Sequence, residues 1–517
     1  MTTLNNQAKK FVTSLQAAQH YRDHAAAANT KAETLHVVGA GRTISTLYEQ
    51  LRNAAEYSED HLLLQRAIRR FYTRLFITGD IPQLESSGEE LVTELTLSGY
   101  IANDSIPLTK IDALTQKAAE YYDAYSALKQ PPRVIQRWVV DVLAVEIHSH
   151  LTDYLVRESF EQFVFEHFKD SIDTASLYGK RVPKDYELLL FVAVHRALLK
   201  SDDATIRWAL LRRFGSSPLE RAEYKRRNEA IDDMLVSKHT KHLQRIISRE
   251  GAVFRILWQS IERNDDFVKA VEKPGSFLQT FEDTVNLTYD DIESRMNRGV
   301  WRSILFLIIT KAVIGVAIEV PYDIWVHGEI AWLPLAINLA LPPVYMLLLR
   351  LTLIMPGPVN TRALVSQADT LLYGKKQPHY EAPKSSSQYG TVFNFVYALL
   401  IIGIFGVASW LLHLVGFTVV HLVIFFIFFS TASFLGFRLS RNIREVETVE
   451  NGINGVAMVR DFIYLPFAVV GQKLSQGYAK YNIIATILDM AIELPLKSIL
   501  GLVRRWGAFI SSKKDEL

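Results

Sequence analysis

Hydrophobic and polar positions follow two different patterns along the chain, and the change occurs near Arg302. Before it, apolar residues recur at intervals of three and four among many charged residues, which is typical of amphipathic helices. After it come apolar stretches long enough to cross a bilayer whose hydrocarbon core is about 30 Å thick. The pattern predicts an all-α protein with a large polar helical part, a membrane-spanning part and a polar C-terminal region.

The polar part shows the helical period most clearly in four stretches, at residues 48–76, 187–199, 204–214 and 219–250. Breaks that contain glycine or proline lie at 79–82, 130–132, 179–183 and 215–218. Few segments alternate between apolar and polar residues as strands do. We therefore expect one helical domain over residues 1–300.

The apolar part predicts four α-helical spans, at residues 303–320, 333–355, 394–417 and 419–437, within a membrane domain over residues 301–437. The alternative is that one pair of these segments folds as a re-entrant hairpin. Pro334, Pro342 and Pro343 lie in the second span, and we expect them to break or kink it, with Pro342 and Pro343 as the candidate kink.

Cations lie at one set of span ends, which predicts the orientation. They precede the first span, fill the loop between the second and third, and follow the fourth: Arg295, Arg298, Arg302, Arg362, Lys375, Lys376, Lys384, Arg438, Arg441 and Arg444. The loop after the first span has no Lys or Arg. The positive-inside rule then places the helical domain and both termini in the cytoplasm.

The C-terminal region, residues 438–517, contains an amphipathic pattern from Asn482 to Arg504 that bends at Pro495. Such a helix can lie in the membrane interface or pack on the rest of the protein. We favour the interface, with Phe462 to Val470 as a second shallow segment.

Composition excludes several kinds of protein. The formal net charge is only +2, which argues against a nucleic-acid-binding surface, and the absence of cysteine excludes disulfides and thiolate metal sites. The N-terminus has no long apolar stretch, so we expect no cleavable signal peptide. The HExxH, GxxxxGK[ST] and GxSxG motifs do not occur, and we predict no catalytic, cofactor-binding or metal site.

Two short motifs match known functional signals, but their sequence context does not favour those functions. Gly39-Ala-Gly41 resembles a dinucleotide loop, but Ile44 occupies the third-glycine position and no second strand follows. We interpret it as a linker before a helix capped by Thr46 and Glu49. The last four residues, 514–517, read KDEL, a lumenal retention signal, yet the predicted terminus is cytoplasmic, so we treat the match as chance.

Polar constellations with metal-ligand character also occur. Glu146, His150 and Asp153 lie at i, i+4 and i+7, and His239 and His242 are three residues apart. Since a metal site needs a second segment to complete the coordination, we interpret both sets as polar helix faces.

Lys311 is the ionisable residue deepest in a predicted span, nine residues beyond Arg302 and therefore roughly 13 Å into the membrane. On a straight helix Glu319 lies too far round to pair with it, so we expect a partner on another segment. The alternative is a first span that begins near Ala312 and leaves the lysine at the interface. Lys311 is our candidate for an intramembrane functional residue.

Three segments, at residues 48–71, 192–211 and 341–361, resemble uncharacterised multi-pass membrane proteins from bacteria of the candidate phyla radiation. The resemblance implies a bacterial inner-membrane protein with a helical cytoplasmic domain. It carries no known activity or catalytic residue.

Three classes of function compete on these grounds. The first is a non-enzymatic scaffold or sensor whose helical domain docks a cytoplasmic protein partner. The second is a transporter or channel component that uses the kinked second span and Lys311. The third is a membrane-embedded enzyme of an unfamiliar type.

Overall fold

The structure is a computed structural model, and it describes residues 4–29, 32–37, 46, 49, 62–152, 154–179, 181–375, 378–380, 390–449, 462 and 464–475. Within these residues helices predominate and there is no strand, which confirms the all-α class. They divide into two compact units. We call the described residues of Leu4–Ile247 the N-terminal unit and those from Ser248 onward the membrane unit.

The N-terminal unit consists of α1 (Asn6–Asn29), α2 (Leu63–Thr78), α3 (Ile81–Glu85), α4 (Ser87–Leu97), α5 (Leu108–Ala127), α6 (Pro132–Ile135), α7 (Asp141–Leu151), α8 (Tyr154–Ser171), α9 (Thr174–Tyr178), α10 (Tyr186–Ala197), α11 (Asp203–Arg213), α12 (Arg221–Val236) and most of α13 (Lys238–Glu250). A π turn, Gln136–Val140, joins α6 to α7. The predicted helix over 219–250 is therefore two helices, which are separated by Ser237.

Sequence features explain where these helices begin and end. The buried side chains Ile68, Phe71 and Leu75 recur at intervals of three and four along α2, which ends at Gly79 with a left-handed φ of 66°. Asp202 starts α11, since its carboxylate accepts a hydrogen bond of 2.9 Å from the Thr205 N–H. The predicted breaks at 79–82, 130–132, 179–183 and 215–218 all coincide with helix ends.

The membrane unit contains α14 (Ala252–Arg263), α15 (Phe267–Val271), α16 (Pro274–Ile314), a π turn (Gly315–Glu319), α17 (Val320–His327), α18 (Trp332–Thr352), α19 (Pro358–Tyr373), α20 (Gly390–Leu414) and α21 (Val419–Arg444). Residues 464–475 are also helical. The segment Pro274–His327, made of α16, the π turn and α17, is one continuous helix of 54 residues. It passes through residue 300, so the predicted domain boundary there falls inside a helix, and the predicted domains stay a prediction.

Four helices among the described residues are long and apolar enough to cross a membrane: Pro274–His327, Trp332–Thr352, Phe395–Leu414 and Val419–Arg444. The four predicted spans are thus confirmed as helices of the required length and hydropathy. The expected break in the second span does not occur, because α18 continues through Pro342 and Pro343. Apolar helices tolerate internal prolines where neighbouring groups satisfy the freed carbonyls, and the kink stays a prediction.

Helices α16, α18 and α21 pack together in the membrane unit. A cluster of buried apolar side chains lies between them, made of Val300, Leu307, Met346, Ile424, Phe428 and Ala432. We call it the apolar cluster. By contrast, none of the most apolar stretch of α20 is buried within the described residues. That surface has the character of one that faces lipid.

Two close contacts hold the remaining segments of the membrane unit. The Asn360 side chain donates to the Tyr289 hydroxyl at 2.8 Å and to the Val446 carbonyl at 2.9 Å, and it accepts from the Thr448 N–H at 2.7 Å. Asn360 therefore joins α16 and α19 to the segment that follows α21. A Cβ atom added to Gly471 would lie 2.1 Å from the Ser430 carbonyl oxygen, so the helix at 464–475 touches α21 at backbone level.

Candidate functional site

Five polar side chains meet in the interior of the membrane unit: Lys311, Glu319, Asp323, Asn338 and His421. The lysine is 2% exposed and each of the other four is 0% exposed. They come from three of the helices that are long enough to cross a membrane, α16 with its extension, α18 and α21. Ionisable groups are rare in such surroundings because their desolvation is costly, so this set, called the polar network below, is the candidate site.

The Lys311 ammonium forms an ion pair with Oε1 of Glu319. Our expectation of a partner on another segment is therefore wrong. The reason is the π turn Gly315–Glu319, which lies between the two residues. Because a π turn takes more residues per turn than an α-helix, it rotates Glu319 back toward the face that carries Lys311.

Asn338 links the lysine–glutamate pair to α21. Its Nδ2 group lies 3.3 Å from both Glu319 Oε1 and the backbone carbonyl oxygen of His421, and donates to each. Pro342, four residues further along α18, has no N–H to donate to the Asn338 carbonyl, so that oxygen has lost its usual helical partner. The proline predicted as a kink site thus lies where it changes the hydrogen bonding of the polar network.

His421 and Asp323 form the second ionisable pair, with 3.3 Å between Nε2 and Oδ1. The Thr418 backbone N–H donates to His421 Nδ1 at 3.4 Å, so a neutral imidazole carries its proton on Nε2, the nitrogen that faces Asp323. The other carboxylate oxygen of Asp323 accepts a hydrogen bond of 3.0 Å from the Ala331 N–H. Asp323 therefore ties the network to the loop between α17 and α18.

Four atoms of the polar network have no aligned hydrogen-bond partner among the described residues: Glu319 Oε2, Asp323 Oδ1, Asn338 Oδ1 and His421 Nε2. The contact between His421 and Asp323 is close enough for an ion pair but is not aligned as a hydrogen bond. Buried polar atoms are nearly always paired, so these four have unused hydrogen-bonding capacity.

The apolar cluster closes one side of the network. Leu307 lies one turn before Lys311 on α16, and Phe428 lies two turns after His421 on α21. The Lys311 nitrogen is 5.3 Å from the centre of the Phe428 ring. On each helix the apolar cluster is further than the network from the loop at 328–331, so the polar groups extend toward that loop alone.

The other predicted constellations are not brought together as sites. His150 Nε2 lies 3.5 Å from Glu146 Oε1, and the Trp208 indole also donates to Glu146. Burial alone would raise the pKa of Glu146, but the hydrogen bonds from His150 and Trp208 bring it below its ordinary value. Asp153 lies outside the described residues, within which no group of three His, Asp or Glu residues could hold a metal ion.

The two remaining motifs have different outcomes. Gly39, Gly41 and the C-terminal stretch 482–517 lie outside the described residues. Thr46 is helical and donates to the Leu97 carbonyl at 3.2 Å, while the Glu49 carboxylate accepts from Arg70 at 2.7 Å. Thr46 is thus part of a helix and is not the predicted N-cap, and both side chains bind other parts of the N-terminal unit.

His239 and His242 do not converge on a common ligand position. The His239 ring packs on the Tyr178 ring with 5.4 Å between centres. Burial and the nearby Arg245 lower the pKa of His242. Their surroundings are those of an ordinary helix face.

Sequence reasoning missed four members of the polar network, Glu319 as a partner and Asp323, Asn338 and His421 altogether. A usable signal was present, since Asn338 and His421 are isolated polar residues inside predicted spans. Comparison of the chain with protein-family models, curated proteins and solved structures gave no match. The proposals below therefore depend on the residues themselves.

Proposed function

We propose that the chain is a multi-pass membrane protein that moves protons through its membrane unit, as a transporter or channel component. The observation that carries the proposal is the buried polar network, in which four atoms lack an aligned hydrogen-bond partner among the described residues. Carboxylates and an imidazole that face one another in an apolar interior are the groups that proton relays use. Support also comes from the exposed apolar side chains of the first span, which extend from Trp301 to Val326 on both sides of Lys311.

The polar network suggests a route that is open from one side. From Lys311 to Asp323 there are twelve residues, or about 18 Å along the helix, which is more than half of a hydrocarbon core of about 30 Å. The remaining distance is filled by the apolar cluster. A proton could reach the network from the loop at 328–331, and passage to the other side requires the apolar cluster to part.

Proton flux into vesicles that contain the purified full chain and an entrapped pH dye tests this proposal. After an external acid pulse, we expect faster acidification than in protein-free vesicles, and a loss of at least tenfold in Glu319→Gln and Asp323→Asn. Thr310→Ala and Thr431→Ala are matched controls, since both side chains are outward-facing and donate to their own helices at 2.6 and 2.7 Å. Wild-type flux equal to that of empty vesicles, or unchanged flux in both carboxyl variants, would refute the proposal.

A docking scaffold or sensor is the second candidate, and a groove in the N-terminal unit favours it. The groove has a volume of about 1350 Å³, and Tyr21, Trp208 and Arg212 are among the residues that line it. Aromatic and arginine side chains are the residue types that dominate binding at protein interfaces. A cytoplasmic protein partner that co-purifies in stoichiometric amount with wild type, but not with Tyr21→Ala/Arg212→Glu, supports this candidate. A partner that co-purifies equally with wild type and with the double variant would count against the groove as its binding site.

Localisation forms part of the same proposal. We propose a bacterial inner membrane with both termini in the cytoplasm, as the distribution of cations and the resemblance to bacterial membrane proteins indicate. The lipid bilayer is then one partner of the chain. Neither an enzyme activity nor a nucleic-acid partner is proposed.

A further inference from the structure

The two oxygen atoms of the Glu319 carboxylate have unequal surroundings. Oε1 accepts from both the Lys311 ammonium and the Asn338 amide, whereas Oε2 has no hydrogen-bond partner among the described residues. The whole side chain is 0% exposed. A buried carboxylate oxygen without a donor is costly, which indicates that the site accommodates more than the lysine.

Other oxygen atoms without a donor occur on the same helices as this carboxylate. Asn338 Oδ1 is also buried and unpaired. Pro342 has no N–H, so the Asn338 carbonyl lacks its usual helical donor. Pro321 likewise has no N–H for a carbonyl of the turn that precedes it. Carboxylate, amide and freed carbonyl oxygens are the ligands by which broken membrane helices hold small alkali-metal ions.

Charge balance limits the ion that fits. Lys311 and Glu319 together are neutral, and removal of the ammonium leaves one negative charge in an apolar interior. A monovalent cation replaces the ammonium at Glu319 charge for charge, whereas a divalent cation would add one more positive charge to the polar network. The Phe428 ring, 5.3 Å from the Lys311 nitrogen, provides a second favourable position for the ammonium when it leaves the carboxylate.

We propose that Lys311 occupies a monovalent-cation site at Glu319 and Asn338, and that Na⁺ or Li⁺ replaces its ammonium group. This inference rests on the proposed transport function and names the second ion. One cation binds to the carboxylate, and the intact ammonium group moves from the carboxylate toward the Phe428 ring.

Thermal unfolding of the purified full chain in detergent tests the site without any flux. Wild type, Lys311→Met, Lys311→Met/Glu319→Gln and Thr310→Ala are compared in NaCl, in LiCl and in N-methylglucamine chloride at equal ionic strength. In Lys311→Met the site is freed of its internal cation. We expect its Tm to rise saturably with Na⁺ or Li⁺, and the double variant to show no such rise.

The controls make each outcome decisive. Thr310→Ala should behave as wild type, with a weaker response to Na⁺ because Lys311 competes. A folded Lys311→Met chain with the same Tm in all three salts would overturn the inference, and so would an equal response in the double variant. If Lys311→Met does not fold, binding of radioactive Na⁺ to Lys311→Gln and to wild type is measured instead of thermal unfolding. Lys311→Gln that binds no more Na⁺ than Lys311→Gln/Glu319→Gln would overturn the inference. Proton flux with no cation binding would leave the proposed function intact and remove only the cation site.

Discussion

Lys311 and Glu319 are eight residues apart in sequence, yet their side chains form a buried ion pair on one face of one continuous helix. On a regular α-helix these positions differ by about 80° in direction. The π turn between them removes that difference, as π turns often do at functional sites. The pair is thus a property of the helix geometry as well as of the two residue types.

A double-mutant cycle on this pair should show strong coupling. Lys311→Met or Glu319→Gln alone leaves one buried polar group without its partner, and removal of one partner of a buried pair typically costs roughly 3–5 kcal/mol. We expect each single variant to lower the Tm of the full chain, and the double variant to regain at least half of the loss. Additive losses in the double variant would mean that the two side chains do not interact.

How far the sequence could predict this molecule depends on the range of the interactions involved. The helical period and the apolar stretches are local, and they correctly predicted the helices and the four long apolar segments. Thr46, predicted as an N-cap, is itself helical, and the side chains of Thr46 and Glu49 bind Leu97 and Arg70, which are distant in sequence. Local signals cannot show such contacts.

The polar network was only partly predictable for the same reason. Lys311 stood out because a lysine in a span is rare. Asn338 and His421 meet Glu319 and Asp323 only through the packing of α16, α17, α18 and α21, which no spacing rule gives. The helical period gives no sign of the π turn, and a straight helix predicts the wrong partner for Lys311.

Membrane topology can be tested with reporters in the full chain. Because cations cluster at one set of span ends, a reporter fused after Leu517 should be active only in the cytoplasm. One inserted at Gly328, in the loop that lacks Lys and Arg, should be active only outside. Activity of both reporters on the same side would contradict the four-span topology.

Glycine at position 471 should be essential for packing, whereas glycine at 403 should not. A Cβ on Gly471 would lie 2.1 Å from the Ser430 carbonyl oxygen, while one on Gly403 would meet nothing within 4 Å among the described residues. Gly471→Ala must therefore push the helix at 464–475 away from α21 and lower the Tm by several degrees. Gly403→Ala, the matched control in α20, should leave Tm unchanged or slightly higher. Equal effects would show that the contact is unimportant.

Acid sensitivity should depend on His167, which is 2% exposed in the N-terminal unit. Burial lowers the pKa of His167 from 6.5 to about 4. The unfolded chain therefore binds more protons between pH 6.5 and 4, so stability that is present above pH 6.5 is lost as pH falls through that window, by about 3 kcal/mol in total. As pH decreases across this window, the free energy of unfolding of the full chain should fall less steeply in His167→Gln than in wild type.

Asp141 changes the stability in the opposite direction with pH, so the pH profile of His167→Gln must be compared with that of wild type. Burial raises the pKa of Asp141 to about 6, against the lowering effect of Arg69. The stability that Asp141 contributes is fully present below pH 3.8 and is lost as pH rises to 6, in wild type and in His167→Gln alike. Parallel pH profiles of wild type and His167→Gln would show that His167 is not protonated during acid unfolding.

The π turn itself can be removed. Deletion of Val316, whose side chain is 72% exposed, shortens Gly315–Glu319 by one residue and should convert the turn to a regular α-helix. Glu319 would then follow Lys311 by seven residues, about 20° from it in direction on a regular α-helix, so the ion pair should survive without the π turn. We expect the deletion to keep the proton flux and the Tm of the full chain close to those of wild type.

Two further variants separate rotation from general damage. Val316→Ala keeps the π turn and its length, so its flux and Tm should match those of wild type. Adding one Ala after Ile314 to the wild-type chain instead turns Glu319 by about 100° away from Lys311, so this insertion should lose flux as Glu319→Gln does and should lower the Tm. A deletion variant that loses flux, while Val316→Ala keeps it, would show that the π geometry itself is required and not only the direction of Glu319.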